Sequence, residues 1–560
     1  MKRRATALCA LNFLGAVAFA QSSTPNTAGT IAGRVLRADT GAPMASALVT
    51  LMPDTEGATV SDRRTRTRED GGFSFTGVTP GDYNLRPEKN GFLAAEYDDV
   101  DQDSQGDSLT VGRGANLKGI DLRLRRWGVI SGTVTDETGD PVQGVRVIAV
   151  RPCYWPRGDR TFDVPASTYT SDLGQYRLAG LEAGDYYVGA GSGSDTGDKH
   201  LPDNARYTGA FYPAAEKISD AQIIEIAAGT EASGINFAVR IELNSYAIRG
   251  AVAGVGPGEF QNTSVLIRQE SLAGITSYGD PMAYINVGKD GSFSLPSVSP
   301  GDYEIEAQHF QRSPTAKDDQ VSVQVGLVTV RVTDADVGVR VAIPTAAIVH
   351  VKANLQNGDR PAGRNQGLFL VPADATATVG NANLPCCRTF DALGGFTFQD
   401  VMPGSYYFSL TGPFSAASYV ERVVCNGTDY SEQPLVVSAG DAKFDCEMTI
   451  VADGAKLTGK VMNEKGPVRG YTVVAIPESQ ALRPLPGRVV GSPMPSDKKE
   501  GHFQIPALRP GDYLVFAVPY DRQQRYFAPD FAERNSESAV KIPIEPGESQ
   551  NITLYPTNPR

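Results

Sequence analysis

Histidine is scarce in this sequence of 560 residues: there are only four, and they are scattered along the chain. None of them begins the H-x-x-E pair that holds zinc in a metallocarboxypeptidase. No serine stands in a G-x-S-x-G elbow, and no Walker-type phosphate loop is present. We therefore expect no enzyme activity, no catalytic residue, no metal ion and no cofactor. The histidines are His200, His309, His350 and His502.

Positive charge is also in short supply. The 52 Lys and Arg residues are outnumbered by 64 Asp and Glu, which gives a net charge of −12. Nucleic acid attracts clustered Lys and Arg, so we expect no nucleic-acid partner. Hydrophobic residues make up 41% of the chain, with 59 Gly and 37 Pro, which indicates turn-rich globular domains. One core stops growing near ~250–300 residues, so we expect several domains.

Long apolar runs are missing except at the N-terminus, which reads MKRRATALCALNFLGAVAFAQSS. Three basic residues precede an apolar stretch, and Ala18-Phe19-Ala20 supplies small residues where a signal peptidase cuts. The stretch is shorter than the ~20 residues that a membrane anchor needs. We predict a signal peptide over residues 1–20, no membrane span after its cleavage, and a secreted protein in the periplasm or at the cell surface of a bacterium.

A Pro-Gly-Asp-Tyr motif and its close variants recur five times, at intervals of 103, 117, 103 and 107 residues. An aromatic residue lies ten positions before each tyrosine, and apolar and polar residues alternate on both sides, which predicts two strands joined by the motif. Pro and Gly suit the central positions of a type II turn. The tyrosine resembles a tyrosine corner, whose hydroxyl bonds to the backbone. The motif residues are Gly81, Tyr83, Gly184, Tyr186, Gly301, Tyr303, Gly404, Tyr406, Gly511 and Tyr513.

Each interval has the length of a small β-sandwich and offers about seven short strands, with no helical period. We predict an all-β chain of five tandem antiparallel β-sandwich modules in a string, of the immunoglobulin-like or prealbumin-like kind. Junctions are short, which favours a semi-rigid string. Repeats 1 to 5 are predicted at residues 29–127, 128–245, 246–344, 345–453 and 454–560.

Four patterns recur in the repeats: G-x-V, G-x-P-x-x-G-V-x-V, D-x-G-x-F and L-x-P-G-D-Y-x-V. Together they resemble the carboxypeptidase regulatory-like domain, which is related to transthyretin-like and Cna-B-like sandwiches and is grouped with carbohydrate-binding-like folds. The resemblance covers nearly the whole mature chain, although Val351 replaces the strand glycine in repeat 4. It implies fold more firmly than function, because such modules accompany secreted enzymes, adhesins and transport proteins alike.

The segment RPCYWPRGDR in repeat 2 is the candidate ligand site. Tyr154 and Trp155 can stack on sugar rings, and Arg157 and Asp159 can supply hydrogen bonds. The alternative is that Trp155 packs against its own loop or a neighbouring domain.

A weaker candidate is a calcium site at Asp99, Asp101 and Asp103. These residues alternate as calcium ligands do, but the loop lacks the glycine and the bidentate glutamate of an EF-hand. A solvated loop is the alternative.

Four cysteines lie in repeat 4: Cys386, Cys387, Cys425 and Cys446. In an oxidising compartment they predict two disulfides, with three possible connectivities. A bond between adjacent cysteines would be strained, so we expect Cys386 and Cys387 each to pair with Cys425 or Cys446. Free thiols are the alternative.

These patterns indicate a non-catalytic exported binding or scaffold protein, with a polysaccharide or a cell-surface protein as partner. Carbohydrate binding is the first expectation, and protein adhesion or a spacer role is the second. An enzyme of an unrecognised type is the third.

Overall fold

The structure is a computed structural model that describes most of the chain in separate ranges. These are residues 28–54, 61–93, 109–154, 157–158, 160–191, 206–207, 209–242, 245–256, 258–269, 283–312, 321–356, 367–373, 388–389, 394–411, 418–451, 454–468, 470–492, 501–519 and 524–557. The chain divides into two compact units. One contains repeat 1 up to Leu124, and the other contains Asn90–Leu93 and the chain from Arg125 onward. The predicted signal peptide lies outside the described residues.

The first unit is a sandwich of two sheets. Its strands are β1 (Gly29–Arg37), β2 (Leu48–Pro53), β3 (Arg63–Arg66), β4 (Gly72–Val78), β5 (Gly81–Glu88), β6 (Leu109–Val111) and β7 (Asn116–Leu124). The sheet orders are β4-β1-β7 and β3-β2-β5-β6. Alternate residues of β4 and β5 point inward, so that Phe73, Phe75, Tyr83 and Leu85 are buried between the sheets.

Repeat 2 begins the second unit and has the most strands. They are β8 (Gly128–Thr135), β9 (Arg146–Tyr154), β10 (Arg160–Tyr169), β11 (Gln175–Leu181), β12 (Gly184–Gly191), β13 (Arg206–Tyr207), β14 (Ala210–Phe211), β15 (Ile224–Ile226), β16 (Glu231–Ala232), β17 (Phe237–Ala238) and β18 (Ile241–Glu242). One sheet has the order β10-β9-β12-β14, with β15 also on β12, and the other has β11-β8-β16, with β17 also on β8. A 3-10 turn lies at Ile218–Asp220.

Repeat 3 repeats the seven-strand plan of repeat 1. Its strands are β19 (Tyr246–Ala253), β20 (Thr263–Gln269), β21 (Ala283–Asn286), β22 (Ser292–Val298), β23 (Gly301–Arg312), β24 (Val321–Val332) and β25 (Val337–Ala342). The sheet orders are β22-β19-β25 and β21-β20-β23-β24. A 3-10 turn at Phe260–Asn262 precedes β20.

Repeat 4 adds a hairpin to this plan. Its strands are β26 (Ala347–Leu355), β27 (Gly367–Pro372), β28 (Arg388–Thr389), β29 (Gly395–Val401), β30 (Gly404–Thr411), β31 (Tyr419–Cys425), β32 (Thr428–Asp429), β33 (Leu435–Val437) and β34 (Lys443–Val451). The hairpin β31-β32 extends one sheet, whose order is β29-β26-β34-β31-β32; the other is β28-β27-β30-β33.

Repeat 5 carries short helical turns on the outside of its second sheet. Its strands are β35 (Ala455–Asn463), β36 (Gly466–Pro467), β37 (Tyr471–Pro477), β38 (Val490–Gly491), β39 (His502–Leu508), β40 (Gly511–Pro519), β41 (Val540–Ile544) and β42 (Ser549–Leu554). One sheet is β36-β35-β39, with β42 also on β35, and the other is β38-β37-β40-β41. The turns are 3-10 segments at Gln480–Leu482, Arg525–Phe527 and Ser536–Ser538, and one α-helical turn at Phe531–Arg534.

All five strand groups share one pairing rule. The opening strand lies between the strand that precedes the tyrosine motif, which is antiparallel to it, and a closing strand, which is parallel to it. The sandwiches are thus antiparallel apart from this pairing. The parallel pairs are β1 with β7, β8 with β16 and β17, β19 with β25, β26 with β34, and β35 with β42.

The glycine of the opening G-x-V pattern permits this close parallel pairing. A Cβ atom on Gly33 would lie 1.9 Å from the carbonyl oxygen of Ile120, and one on Gly459 would lie 2.0 Å from that of Ile552. In repeat 4 this position is occupied by Val351, which pairs with Cys446 on the parallel strand.

Among the described residues, no helix is long and apolar enough to cross a membrane.

Candidate functional site

The five motif tyrosines make the same hydrogen bond. Each ring is buried, and each hydroxyl donates to the carbonyl oxygen four residues earlier in the chain, at 2.7 to 3.0 Å. The recurring motif therefore ties the start of one strand to the end of the preceding one, which is a structural role. The pairs are Tyr83 with Thr79, Tyr186 with Glu182, Tyr303 with Ser299, Tyr406 with Met402, and Tyr513 with Arg509.

The prediction of a type II turn at this motif is wrong. Gly81, Gly184, Gly301 and Gly511 have φ values of 155°, 155°, 157° and 143°, whereas the third residue of a type II turn needs about +80°. The cause is topological, since the two joined strands belong to different sheets and the glycine already begins the second strand. Glycine suits this extended positive-φ backbone because it has no Cβ.

The acidic residue of the motif bonds across to the neighbouring strand. Asp82 Oδ1 accepts from the Thr110 hydroxyl at 2.6 Å, and Asp302 forms a two-pronged ion pair with Arg331 at 2.5 and 2.6 Å. In both repeats the two residues are direct partners in the strand register. These contacts hold strands together.

A buried arginine forms ion pairs at the base of the candidate ligand segment of repeat 2. Arg151 lies on β9, as the first residue of the segment, and donates to Asp163 on β10 at 2.8 Å and to Glu182 at 2.7 Å. Burial lowers the pKa of Arg151, but the hydrogen bond and charge of Asp163 and the charge of Glu182 outweigh it, so that its pKa is raised overall. Arg151 stays charged and fixes the base of the β9–β10 hairpin.

The segment itself contacts repeat 5, which is far away in the sequence. Tyr154 packs against an outer apolar cluster of repeat 5 that includes Phe516 and Phe531. Gly158 lies close to this repeat as well, because a Cβ atom there would be 3.1 Å from Pro529 Cγ and 3.3 Å from the carbonyl oxygen of Phe527. Repeats 2 and 5 are therefore in contact, which the order of the repeats along the chain does not predict.

Two arginines of the segment lie over aromatic rings. The guanidinium carbon of Arg157 is 5.7 Å from the ring centre of Tyr407 in repeat 4. Arg160 donates to the Tyr187 hydroxyl at 2.7 Å and lies 4.9 Å from the ring centre of Phe162. Arginine–aromatic contacts of this kind are attractive through the ring quadrupole. Side chains from repeats 2, 4 and 5 therefore meet around this segment.

Five residues of the two predicted ligand sites lie outside the part of the chain that the structure describes. Trp155 and Asp159 of the candidate ligand segment lie outside the described residues, as do the calcium candidates Asp99, Asp101 and Asp103. Within the described ranges, no group of three or more His, Cys, Asp or Glu side chains could hold a metal ion. The sugar-stacking and calcium hypotheses stay predictions.

The predicted cysteine pairing is wrong. Cys425 and Cys446 form a disulfide with each other, with Cα atoms 4.0 Å apart, so neither is available to Cys386 or Cys387. The reason is that β31 and β34 are antiparallel neighbours and place these two residues directly opposite each other. The bond ties the added hairpin of repeat 4 to the closing strand. Cys386 and Cys387 lie outside the described residues.

The strand plan, the positive-φ glycines and the tyrosine hydrogen bond agree with the family resemblance of the sequence. The family described as carboxypeptidase regulatory-like domain matches residues 30–115 and 129–199. The two matched segments, which lie in repeats 1 and 2, are similar to that family. The match covers the first sandwich up to its closing strand β7 and the first part of the second, including the candidate ligand segment.

Solved structures that are similar to parts of this chain include two bacterial pilins and one further bacterial protein. The minor pilin GBS52 of Streptococcus agalactiae is 12% identical over 38% of this chain and 95% of its own, with a TM-score of 0.20. The major pilin subunit BcpA of Bacillus cereus is 10% identical over 56% of this chain and 99% of its own, with a TM-score of 0.15. The Bacillus anthracis TIE protein is 10% identical over 72% and 69%, with a TM-score of 0.14.

No curated protein matches the sequence.

Some residues at the site carry no local sequence signal. Tyr407, Phe527 and Pro529 come from repeats 4 and 5, and nothing near them in the sequence points to repeat 2. Their role depends on contacts between repeats, which a pattern within one repeat does not predict.

Proposed function

We propose that this chain is an exported, non-catalytic binding and scaffold protein, and that a polysaccharide is its ligand. The observation that carries the proposal is the meeting of aromatic and arginine side chains from three repeats around the segment that starts at Tyr154. Flat aromatic faces suit the apolar faces of pyranose rings, and arginines offer several hydrogen-bond donors in a fixed plane.

The residues at hand support this ligand class in two respects. Tyr407 is half-buried, so part of its ring remains accessible beside Arg157. Arg160 is exposed, and its bond to Tyr187 holds its side chain in place. Binding sites for small ligands commonly combine aromatic walls with a few fixed polar groups at a domain junction.

The proposed location is the periplasm or the cell exterior. It rests on the predicted signal peptide and on the sequence patterns of the repeats. A multi-repeat protein with short junctions suits a role that spaces or tethers partners outside the cell.

The experiment is a glycan array and a pull-down with insoluble polysaccharides, both with the mature chain. We expect retention on at least one polysaccharide and its loss in Arg157→Ala and Tyr407→Ala. Tyr284→Ala is the control, because Tyr284 is an exposed aromatic residue of repeat 3. No retention on any glycan, with capture of a cell-surface protein instead, would favour the adhesion alternative. Turnover in a hydrolase screen that is lost on mutation of a carboxylate would contradict the non-catalytic assignment.

A further inference from the structure

The junction between repeats 4 and 5 contains two arginines of repeat 5 and one carboxylate of repeat 4. Arg488 of repeat 5 donates to Glu432 of repeat 4, with Nη2 and Oε1 3.0 Å apart. Arg509, also of repeat 5, has its guanidinium carbon 5.3 Å from the ring centre of Tyr419 in repeat 4. The side chain of Arg488 is only 12% exposed, whereas that of Glu432 is 63% exposed. The buried part of the junction therefore holds more positive than negative charge.

The hydrogen bonding of the two arginines is incomplete. Nε of Arg488 and Nε of Arg509 are both buried, and neither has a hydrogen-bond partner among the described residues. Buried charged groups in proteins are normally paired and hydrogen-bonded, because removing them from water otherwise costs several kcal/mol. The aromatic face of Tyr419 offsets only part of such a cost. In the part of the junction that the structure describes, the two Nε–H groups therefore lack a negatively charged acceptor.

The tyrosine corner of repeat 5 fixes the position of Arg509 at the junction. Arg509 is the residue whose backbone carbonyl accepts the hydroxyl of Tyr513, at 3.0 Å, so its position is set by the corner of repeat 5. The equivalent position in repeat 2 is Glu182, which pairs with the buried Arg151. In repeat 5 the same position carries the opposite charge, and among the described residues no carboxylate forms an ion pair with Arg509.

We infer that the repeat 4–repeat 5 junction binds an oxyanion, a sulfate or carboxylate, between Arg488 and Arg509. Guanidinium groups form paired, charge-assisted hydrogen bonds with such anions, and two of them can hold one anion from two sides. Burial and the neighbouring charge of Arg488 lower the pKa of Arg509 to about 10, and a bound anion relieves both effects. The anion can be a free ion or a group carried on a polysaccharide. The site is separate from the repeat 2 segment and stands without the proposed function.

The test is a titration of the mature chain with sodium sulfate by calorimetry, with sodium chloride at equal ionic strength as the reference. We expect saturable binding of sulfate and at least tenfold weaker binding in Arg509→Met and in Arg488→Met. Arg331→Met is the matched control, because Arg331 is an exposed arginine in an ion pair of repeat 3. A second titration with dextran sulfate, with neutral dextran as the reference, shows whether the site binds sulfate that is carried on a polymer. Binding of the free ion or of the polymer supports the site.

Thermal unfolding in the two salts gives a second measurement. Sulfate stabilises proteins in general, so the decisive quantity is the difference between wild type and Arg509→Met. In chloride we expect Arg509→Met to melt at the wild-type temperature or above it, because the substitution removes an unpaired buried charge. In sulfate we expect the wild type to gain more than the variant. Equal sulfate binding by wild type and both variants, or no saturable binding by any of them, would overturn the inference.

Discussion

Gly33 and the carbonyl group of Ile120 are in such close contact that a Cβ atom on Gly33 would stand 1.9 Å from the carbonyl oxygen. The contact joins the opening strand of repeat 1 to its closing strand. We predict that Gly33→Ala destabilises repeat 1 by about 3 kcal/mol, because backbone atoms must move to admit the methyl group. Hydrogen exchange followed by mass spectrometry over β1 and β7 measures the effect.

The control for this substitution is Gly112→Ala, since nothing lies within 4 Å of a Cβ atom at Gly112. Exchange in β1 and β7 should be unchanged there. Equal effects of the two substitutions would contradict the steric account of the G-x-V pattern.

The tyrosine corner predicts a second stability effect. Tyr303 is fully buried and its hydroxyl donates to the Ser299 carbonyl at 2.7 Å. We expect Tyr303→Phe to lower the stability of repeat 3 by about 1–2 kcal/mol, because the buried carbonyl loses its donor. Tyr284→Phe, at a side chain that is 58% exposed, should change stability by less than about 0.5 kcal/mol. Hydrogen exchange over β22 and β23 in the whole chain measures the effects of both substitutions.

The disulfide predicts a definite peptide map. Digestion without reduction should yield a linked pair of peptides that contain Cys425 and Cys446. Because the bond closes a loop of 21 residues, reduction should cost repeat 4 about 3 kcal/mol. A linked pair that joins Cys425 or Cys446 to Cys386 or Cys387 would contradict the structure.

The contact between repeats 2 and 5 can be tested at Tyr154. Its ring packs against the outer apolar cluster of repeat 5, so we expect Tyr154→Ala to increase hydrogen exchange in residues 525–534. Tyr169→Ala is the matched control, since Tyr169 lies on the adjoining strand β10 with 54% of its surface exposed. Unchanged exchange over 525–534 in the Tyr154 variant would show that the two repeats do not depend on this contact.

Strands and buried tyrosines were predictable because they follow from local alternation. Residues such as Phe73 and Phe75, two positions apart, must share a face of the sheet, and the structure buries both. The glycine conformation at the motif was not predictable, because it depends on the second strand joining a different sheet.

The sequence also did not predict contacts between segments that lie far apart in the chain. The sequence places Cys425 near three other cysteines but does not say that β31 and β34 are neighbours. Similarly, Arg157 signals a polar site, whereas its aromatic partner Tyr407 comes from another repeat. Such pairs depend on how the repeats pack, and periodicity within one repeat carries no information about that.

We propose that the repeat 2 segment and its partners in repeats 4 and 5 bind a polysaccharide. The most direct test is an equilibrium titration of the mature chain with the polysaccharide that retains it best, comparing wild type, Arg157→Ala and Tyr407→Ala. We predict a loss of about 1–3 kcal/mol of binding free energy in each variant, as for residues that carry most of a binding interface. Wild-type affinity in both variants, with Tyr284→Ala also unchanged, would contradict the assignment of the site.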